Sequence, residues 1–334
     1  MLQRPTYNTI DIAKMVAALF VVAIHAQPFS GITEVLVINW LARLAVPFFF
    51  VASAFFFFRK SIERQDWRHY VRRLGILYLF WFVIELPITL LHAFIEPETS
   101  FPVNLLRFVR GFFFGSTFSG SWFLMALMEC VPLIFFLSKR FSTRSLFLAG
   151  LVPYGVVVLG TYYRDFLPTA WQQAAETLGH IEISFLSAFV FCVVGKYIAE
   201  NEQRLRQWTS AGWFCVGSLV LSAAEVLIVN KLHAPMTNDF YFMLVPTVFM
   251  LFVVLLQHET LSTAIDYRHW RTASTVFYFS HFIFVFIFII VNKHLLPIHP
   301  WVKFGSVLAL CLLTSEWMMR MSGRKGWQWL RYGI

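Results

Sequence analysis

Charge is what this sequence has least of. Only 13% of its 334 residues are Asp, Glu, Lys or Arg, against roughly a quarter in a soluble globular domain. With 58% hydrophobic residues, 39 of the side chains Phe and 12 Trp, no aqueous fold of this length has interior enough to hide the apolar surface, so lipid must be the solvent for most of it. Short alternating apolar segments are also missing, which excludes a transmembrane β-barrel and leaves helices as the way to satisfy the backbone in a bilayer. The four cysteines, Cys130, Cys192, Cys215 and Cys311, all sit inside apolar runs. They show neither metal-ligand spacing nor a disulfide framework and read as small packing residues; no metal site is expected. The formal net charge of +9 is spread over short loops, the pattern of a membrane protein's inner face and not of a nucleic-acid-binding patch.

What is present is a series of apolar segments at 10–27, 36–58, 74–95, 119–137, 146–163, 182–199, 210–230, 239–257, 274–292 and 300–320. Segment 101–115 is apolar but interrupted by Arg107 and Arg110, which suits an interfacial amphipathic helix. With the N-terminus in the cytoplasm, inside segments hold 20 of the 27 Lys and Arg residues, among them Arg4, Arg64, Arg68, Arg72 and Arg73, and the outside holds six, with Arg43 inside a span. The positive-inside rule therefore predicts an all-α, polytopic transmembrane bundle of about ten spans with both termini cytoplasmic. A cleaved signal peptide at residues 1–26 is disfavoured, because Asp11 and Lys14 sit at the mouth of its apolar run and cleavage would upset the alternation. The expected organisation is one transmembrane domain over residues 1–334, multi-pass in the inner or plasma membrane, with no separate soluble domain.

Ionisable residues in a bilayer are costly, so each is a candidate for function. Eleven helical steps from Lys14 to His25 turn about 1100°, three turns plus roughly 20°, over about 16 Å of axis. Asp11 and Lys14 are an i,i+3 pair, so all three side chains share one face. Two readings stand: an interfacial ion pair with an unrelated outer histidine, or a polar track from a cytoplasmic cation to an imidazole suited to proton transfer near neutral pH.

In chain order, Asp11, Lys14 and His25, then Arg43 with Val46-Pro47-Phe48-Phe49-Phe50 and Ser53-Ala54, then Tyr78-Leu79-Phe80-Trp81, Trp122-Phe123-Leu124, Gly195-Lys196 and Phe277-Tyr278-Phe279-Ser280-His281 resemble the motifs of the acyltransferase-3 family of membrane O-acyltransferases. Ala54 replaces the usual Gly, Ser121 stands where the family often has His, and Arg68, Arg72 and Arg73 do not form a clean Arg-x-x-Arg. The resemblance implies transfer of an acyl group, acetyl by default, from cytoplasmic acyl-CoA to a hydroxyl of a cell-envelope glycan or lipid-linked sugar, with no permanently bound cofactor. His25 is then general base or covalent acyl carrier, and Arg43 steadies the oxyanion or pairs with a buried carboxylate. Asp11 orients Lys14. Lys14, Arg68, Arg72 and Arg73 are candidates for the CoA phosphates, and the loop arginines also suit anionic lipid. Trp122, Glu129, Tyr278 and His281 are candidate cavity residues, the last two sharing a face by i,i+3 spacing that also fits a hydrogen-bonded structural pair. The chain ends soon after the last span, so the membrane domain is expected to bring donor and acceptor together itself. The alternative is a transporter of protons or an envelope precursor, for which inverted repeats and broken helix pairs would speak; neither is visible in the sequence.

Overall fold

The computed structural model describes residues 7–60, 66–91, 94, 100–114, 117–178, 180–232, 235, 237–258 and 267–334. Arg4 and Arg64 lie outside them. All regular structure among the described residues is helical. The principal helices are α1 (Asn8–Ala26), α2 (Gly31–Phe58), α3 (Trp67–Leu90), α4 (Phe101–Phe114), α5 (Ser121–Leu137) and α6 (Thr143–Thr161). They are followed by α7 (Thr169–Leu178), α8 (Phe185–Glu200), α9 (Ala211–Leu232), α10 (Leu244–Gln257), α11 (Tyr267–His294) and α12 (Pro300–Met321).

Each of the ten apolar segments falls on a helix. Among the described residues seven helices, α1, α2, α3, α6, α9, α11 and α12, are long and apolar enough to cross a membrane. The shorter three are α5 with 17 residues, α8 with 16 and α10 with 14. Two helices begin earlier than the hydropathy pattern implies. Asp66 caps α3, its carboxylate accepting from the His69 N–H at 3.0 Å, and an N-cap of this kind starts a helix whatever the polarity of the first turn. Arg68, Arg72 and Arg73 therefore project from the first turns of α3 and not from a loop, and Arg268 and Arg271 likewise lie on α11. The stretch between the 146–163 and 182–199 segments is not wholly loop either, since it holds α7, whose Ala, Gln and Glu residues favour helix.

The bundle is organised around α8 and α1. Helix α8 is apolar all round and almost wholly buried from Ser187 to Lys196, as a helix without a polar face must be, and it packs against α2, α5 and α6. Gly195 sets the α2–α8 approach: a Cβ there would strike the Val51 carbonyl and lie 2.9 Å from the Ala54 Cβ. The methyl group that stands at Ala54 is thus accommodated by a glycine on the facing helix. Helix α1 packs against α2, α11 and α12, and this is what gives its two polar ends their neighbours. Residues 101–114 of the arginine-interrupted segment form α4, which turns one side toward α3: Tyr78 donates to the Phe112 carbonyl at 3.0 Å, and the Phe82 ring lies 5.0 Å from Phe112.

Candidate functional site

The two polar ends of α1 have different surroundings. At the first, Lys14 Nζ lies 3.5 Å from Asp11 Oδ1 and 4.5 Å above the Phe56 ring, and Arg271 reaches Asp11 Oδ2 at 3.9 Å. Asp11 is buried between two cations. Arg73 is within electrostatic range of Lys14. Arg68, Arg72 and Arg73 are exposed and have no acidic partner among the described residues. This end is tied down further by Tyr7, just before α1, which donates to Glu202 at 2.7 Å, while Glu202 also accepts from Arg59 and Arg206 at 2.7 Å each. Partial burial pushes the Glu202 carboxyl up, but the Arg206, Tyr7 and Arg59 contacts outweigh it and hold the group below the usual carboxylate range. An open groove of about 540 Å³ beside this hub is lined by Arg59, Glu200, Asn201 and Arg204; it belongs to the surface and not to the His25 end.

Between Lys14 and His25 the shared face carries Ala18 and Val21, 0% and 2% exposed. The face geometry expected from the spacing is present, but its middle is packed with small apolar side chains where a continuous polar track would need polar ones. The cause is the close packing of α1 against three helices, which small residues permit.

At the second end His25 is exposed, with its ring 5.2 Å from the His281 ring and 4.5 Å from Phe282. Helix α1 stops just beyond, at Gln27, whose φ of 50° places it in the left-handed region and lets its N–H return to the Ala23 carbonyl at 2.9 Å. His281 is fully buried, and its Nδ1 is 2.9 Å from the Phe277 carbonyl. Tyr278 packs between Phe49 and Phe123, with its ring 6.4 Å from His281, so the two share a face without a direct hydrogen bond being recorded between them. Gly120 closes the turn beneath them, its φ of 81° and the nearness of Phe282 and Tyr278 (2.8 and 3.2 Å from a Cβ built there) leaving room only for glycine. Ser121 donates to the Phe118 carbonyl at 2.6 Å in the same turn.

Arg43 enters from α2 through an irregular stretch. Residues Glu34–Trp40 form a π-helix and Leu41–Leu44 a 3₁₀ turn before the α-helix resumes at Ala45. A switch from wide to tight winding re-aims the side chains it carries and recurs at functional positions. Arg43 pairs with Asp239, both within electrostatic range of His25. Asp239 is held in turn by Thr237, whose hydroxyl donates to Oδ2 and accepts from the Asp239 N–H, each at 3.1 Å. Arg43 therefore has a carboxylate partner, but a partly exposed one instead of the buried one expected, and its identity was missed. Asp239 sits at the edge of the 239–257 segment, where a hydropathy reading treats acids as loop residues; the signal available was its position ahead of an apolar run. Trp122 packs between Phe50 and Phe240, with ring centroids 5.8 and 6.5 Å away.

Glu129 is exposed on α5 and makes no recorded contact with His25 or Arg43. Glu225 has a structural task, accepting from the Phe242 and Met243 N–H groups at 2.8 and 2.7 Å and from Tyr163 at 2.7 Å, which caps the start of α10. Glu316 pairs with His269 at 2.6 Å.

The structure thus gathers His25, His281, Tyr278, Trp122, Arg43 and Asp239 at one end of α1, and Asp11, Lys14, Arg73 and Arg271 at the other. The first group offers an imidazole within electrostatic range of a paired guanidinium, which suits proton removal from a hydroxyl and stabilisation of a developing oxyanion. The fold defines a multi-pass helical membrane protein. The acyltransferase domain family of acyltransferase-3 type matches residues 7–320, and the chain belongs to that family. Two curated relatives, both amino-acid racemases of Enterococcus faecalis, are similar to it: one is 22% identical over 77% of this chain and 37% of its own length, the other 33% identical over 43% of this chain and 22% of its own. The chain thus spans well under half the length of either relative. No solved structure matches it.

Proposed function

We propose that this acyltransferase moves an acyl group, acetyl in the first instance, from cytoplasmic acyl-CoA to a hydroxyl of a cell-envelope glycan or lipid-linked sugar. In this reading the chain crosses the inner or plasma membrane about ten times with both ends in the cytoplasm, the three shorter helices completing the count. The observation that carries the reading is the Arg43–Asp239 pair within electrostatic range of His25 in a chain of this family.

The donor's phosphates bind Lys14 and the exposed Arg68, Arg72 and Arg73 by charge-assisted hydrogen bonds. Asp11 keeps Lys14 from leaving the helix face. The thioester is carried toward His25, about 16 Å along α1, a reach of the same order as an extended pantetheine arm. His25 takes the proton of the acceptor hydroxyl as its oxygen attacks the thioester carbonyl. Arg43 steadies the tetrahedral oxyanion, Asp239 keeping the guanidinium in place. Collapse breaks the carbon–sulfur bond, and the departing thiolate receives the proton from the His25 imidazolium. Atoms and charge balance without a further reactant. In the covalent variant, a His25 ring nitrogen takes the acyl group first and passes it to the hydroxyl. The transporter reading is weaker here, because the sequence shows neither inverted repeats nor paired broken helices.

The racemase activity named for the two relatives is not carried over, given how little of their length the chain spans. The reading is tested by giving radiolabelled acetyl-CoA to membranes with and without the protein. It expects label in an envelope glycan or lipid-linked sugar only when the protein is present; equal labelling of the two membranes with acetyl, succinyl and longer acyl donors would overturn it.

A further inference from the structure

His281 has a nitrogen with nothing to do. A backbone carbonyl only accepts, so the 2.9 Å contact from Nδ1 to the Phe277 carbonyl puts a proton on Nδ1. In the neutral ring Nε2 then carries a lone pair. Nε2 is sealed from solvent and has no hydrogen-bond partner among the described residues, although buried acceptors are nearly always satisfied. Ser280, next in the chain, is turned away and donates to Cys311 Sγ at 3.6 Å. The His25 ring is the polar group at hand: its centroid is 5.2 Å from that of His281, the ring planes are 40° apart, and Phe282 lies against both, at 4.5 and 3.9 Å.

Two imidazoles joined by one linear N–H···N bond of ordinary length have centroids about 5 Å apart. The helices therefore already hold the two rings at bonding separation. We infer that His281 is the positioning residue of His25, accepting an N–H from it through Nε2. That bond selects one His25 tautomer and leaves the other ring nitrogen, unprotonated, facing the Arg43–Asp239 side. The arrangement does what a carboxylate does behind a catalytic histidine, but with a neutral acceptor, so no isolated charge is buried inside the bundle. The backbone anchor at Phe277 fixes which His281 nitrogen is offered, just as an outer partner fixes the tautomer of a metal-bound histidine.

The inference rests on the reading of His25 as the base, and its test has one readout that does not. In protein with ¹⁵N-labelled histidine, with His25 assigned by its loss from the His25→Gln spectrum, the two His25 ring nitrogens report the tautomer directly. Wild type should show one tautomer, His281→Leu a mixture, and His281→Gln, which keeps an acceptor, a return toward one. In transfer assays His281→Leu should lower kcat roughly 10- to 100-fold with little change in the donor's KM, and His281→Gln should recover part of it. A His25 tautomer ratio unchanged in a folded His281→Leu would overturn the inference. Should wild type show one tautomer that His281→Leu scrambles while no acyl donor is used, the positioning stands and it is the transfer reading that fails.

Discussion

The two ends of α1 are built on opposite principles. At the Lys14 end charges are matched: Asp11 lies between Lys14 and Arg271, and Glu202 gathers Tyr7, Arg59 and Arg206. At the His25 end one ion pair is matched and the rest is left open, with Arg43 Nε buried and without a hydrogen-bond partner among the described residues and His281 Nε2 left to His25 alone. A matched network holds a helix in place and presents a cationic surface beside it. An unmatched set of donors and acceptors costs stability and persists where something else is to be bound, since strain and unsatisfied groups gather at functional positions. Under the proposed function, the contrast gives anchoring and donor capture to one end and chemistry to the other.

The largest effect expected from breaking this contrast is at Arg43. Arg43→Gln should lower kcat by roughly 100-fold or more, as loss of an oxyanion donor does, while Asp239→Asn, which leaves the guanidinium present but unheld, should cost about tenfold. The double variant should be no worse than Arg43→Gln alone, because the two act as a unit. Steady-state kinetics on the four proteins checks this; equal and additive losses would place Asp239 in an independent role.

At the other end the expected effect is on stability. Glu202→Gln should destabilise the protein by about 1.5–3 kcal/mol at pH 7, the range for hydrogen bonds to a charged group. The Glu202 carboxyl is held below its ordinary range in the folded protein, so its contribution is complete above the unfolded carboxylate value of about 4.3 and is lost as pH falls through the folded value. Thermal unfolding of wild type and Glu202→Gln in detergent should therefore differ at neutral pH and converge on acidification, with transfer per folded molecule almost unchanged.

The smallest effect is at the end of α1. Gln27 holds a left-handed conformation that costs a residue with a Cβ roughly 1 kcal/mol, so Gln27→Gly should raise the unfolding temperature slightly. A fall would show that the Gln27 side chain contributes more than its backbone conformation costs.

Much of this was legible in the residues. The ten apolar segments all became helices, because a long apolar run in lipid has few alternatives, and the i,i+11 spacing of Lys14 and His25 correctly put both on one face. Spacing carries no information about what packs against that face, so the filled Ala18–Val21 stretch was not foreseen. Nor was the π-to-3₁₀ switch that aims Arg43, for no residue from Glu34 to Leu44 marks it. Asp239 escaped because hydropathy counts an acid at a span edge as loop. Glu129 attracted notice for lying within a span, but its exposure depends on which side of α5 the neighbouring helices cover, and that is a tertiary fact. The nearness of His25 and His281, 256 residues apart in the chain, follows only from α1 lying against α11.

The most direct test measures donor binding and transfer on the same purified His25→Ala protein. The account predicts that acetyl-CoA binds within a few-fold of wild-type affinity, because the Lys14 end is intact, while transfer falls by at least about 100-fold, the scale of a lost general base. Transfer at the wild-type rate in folded His25→Ala would contradict it.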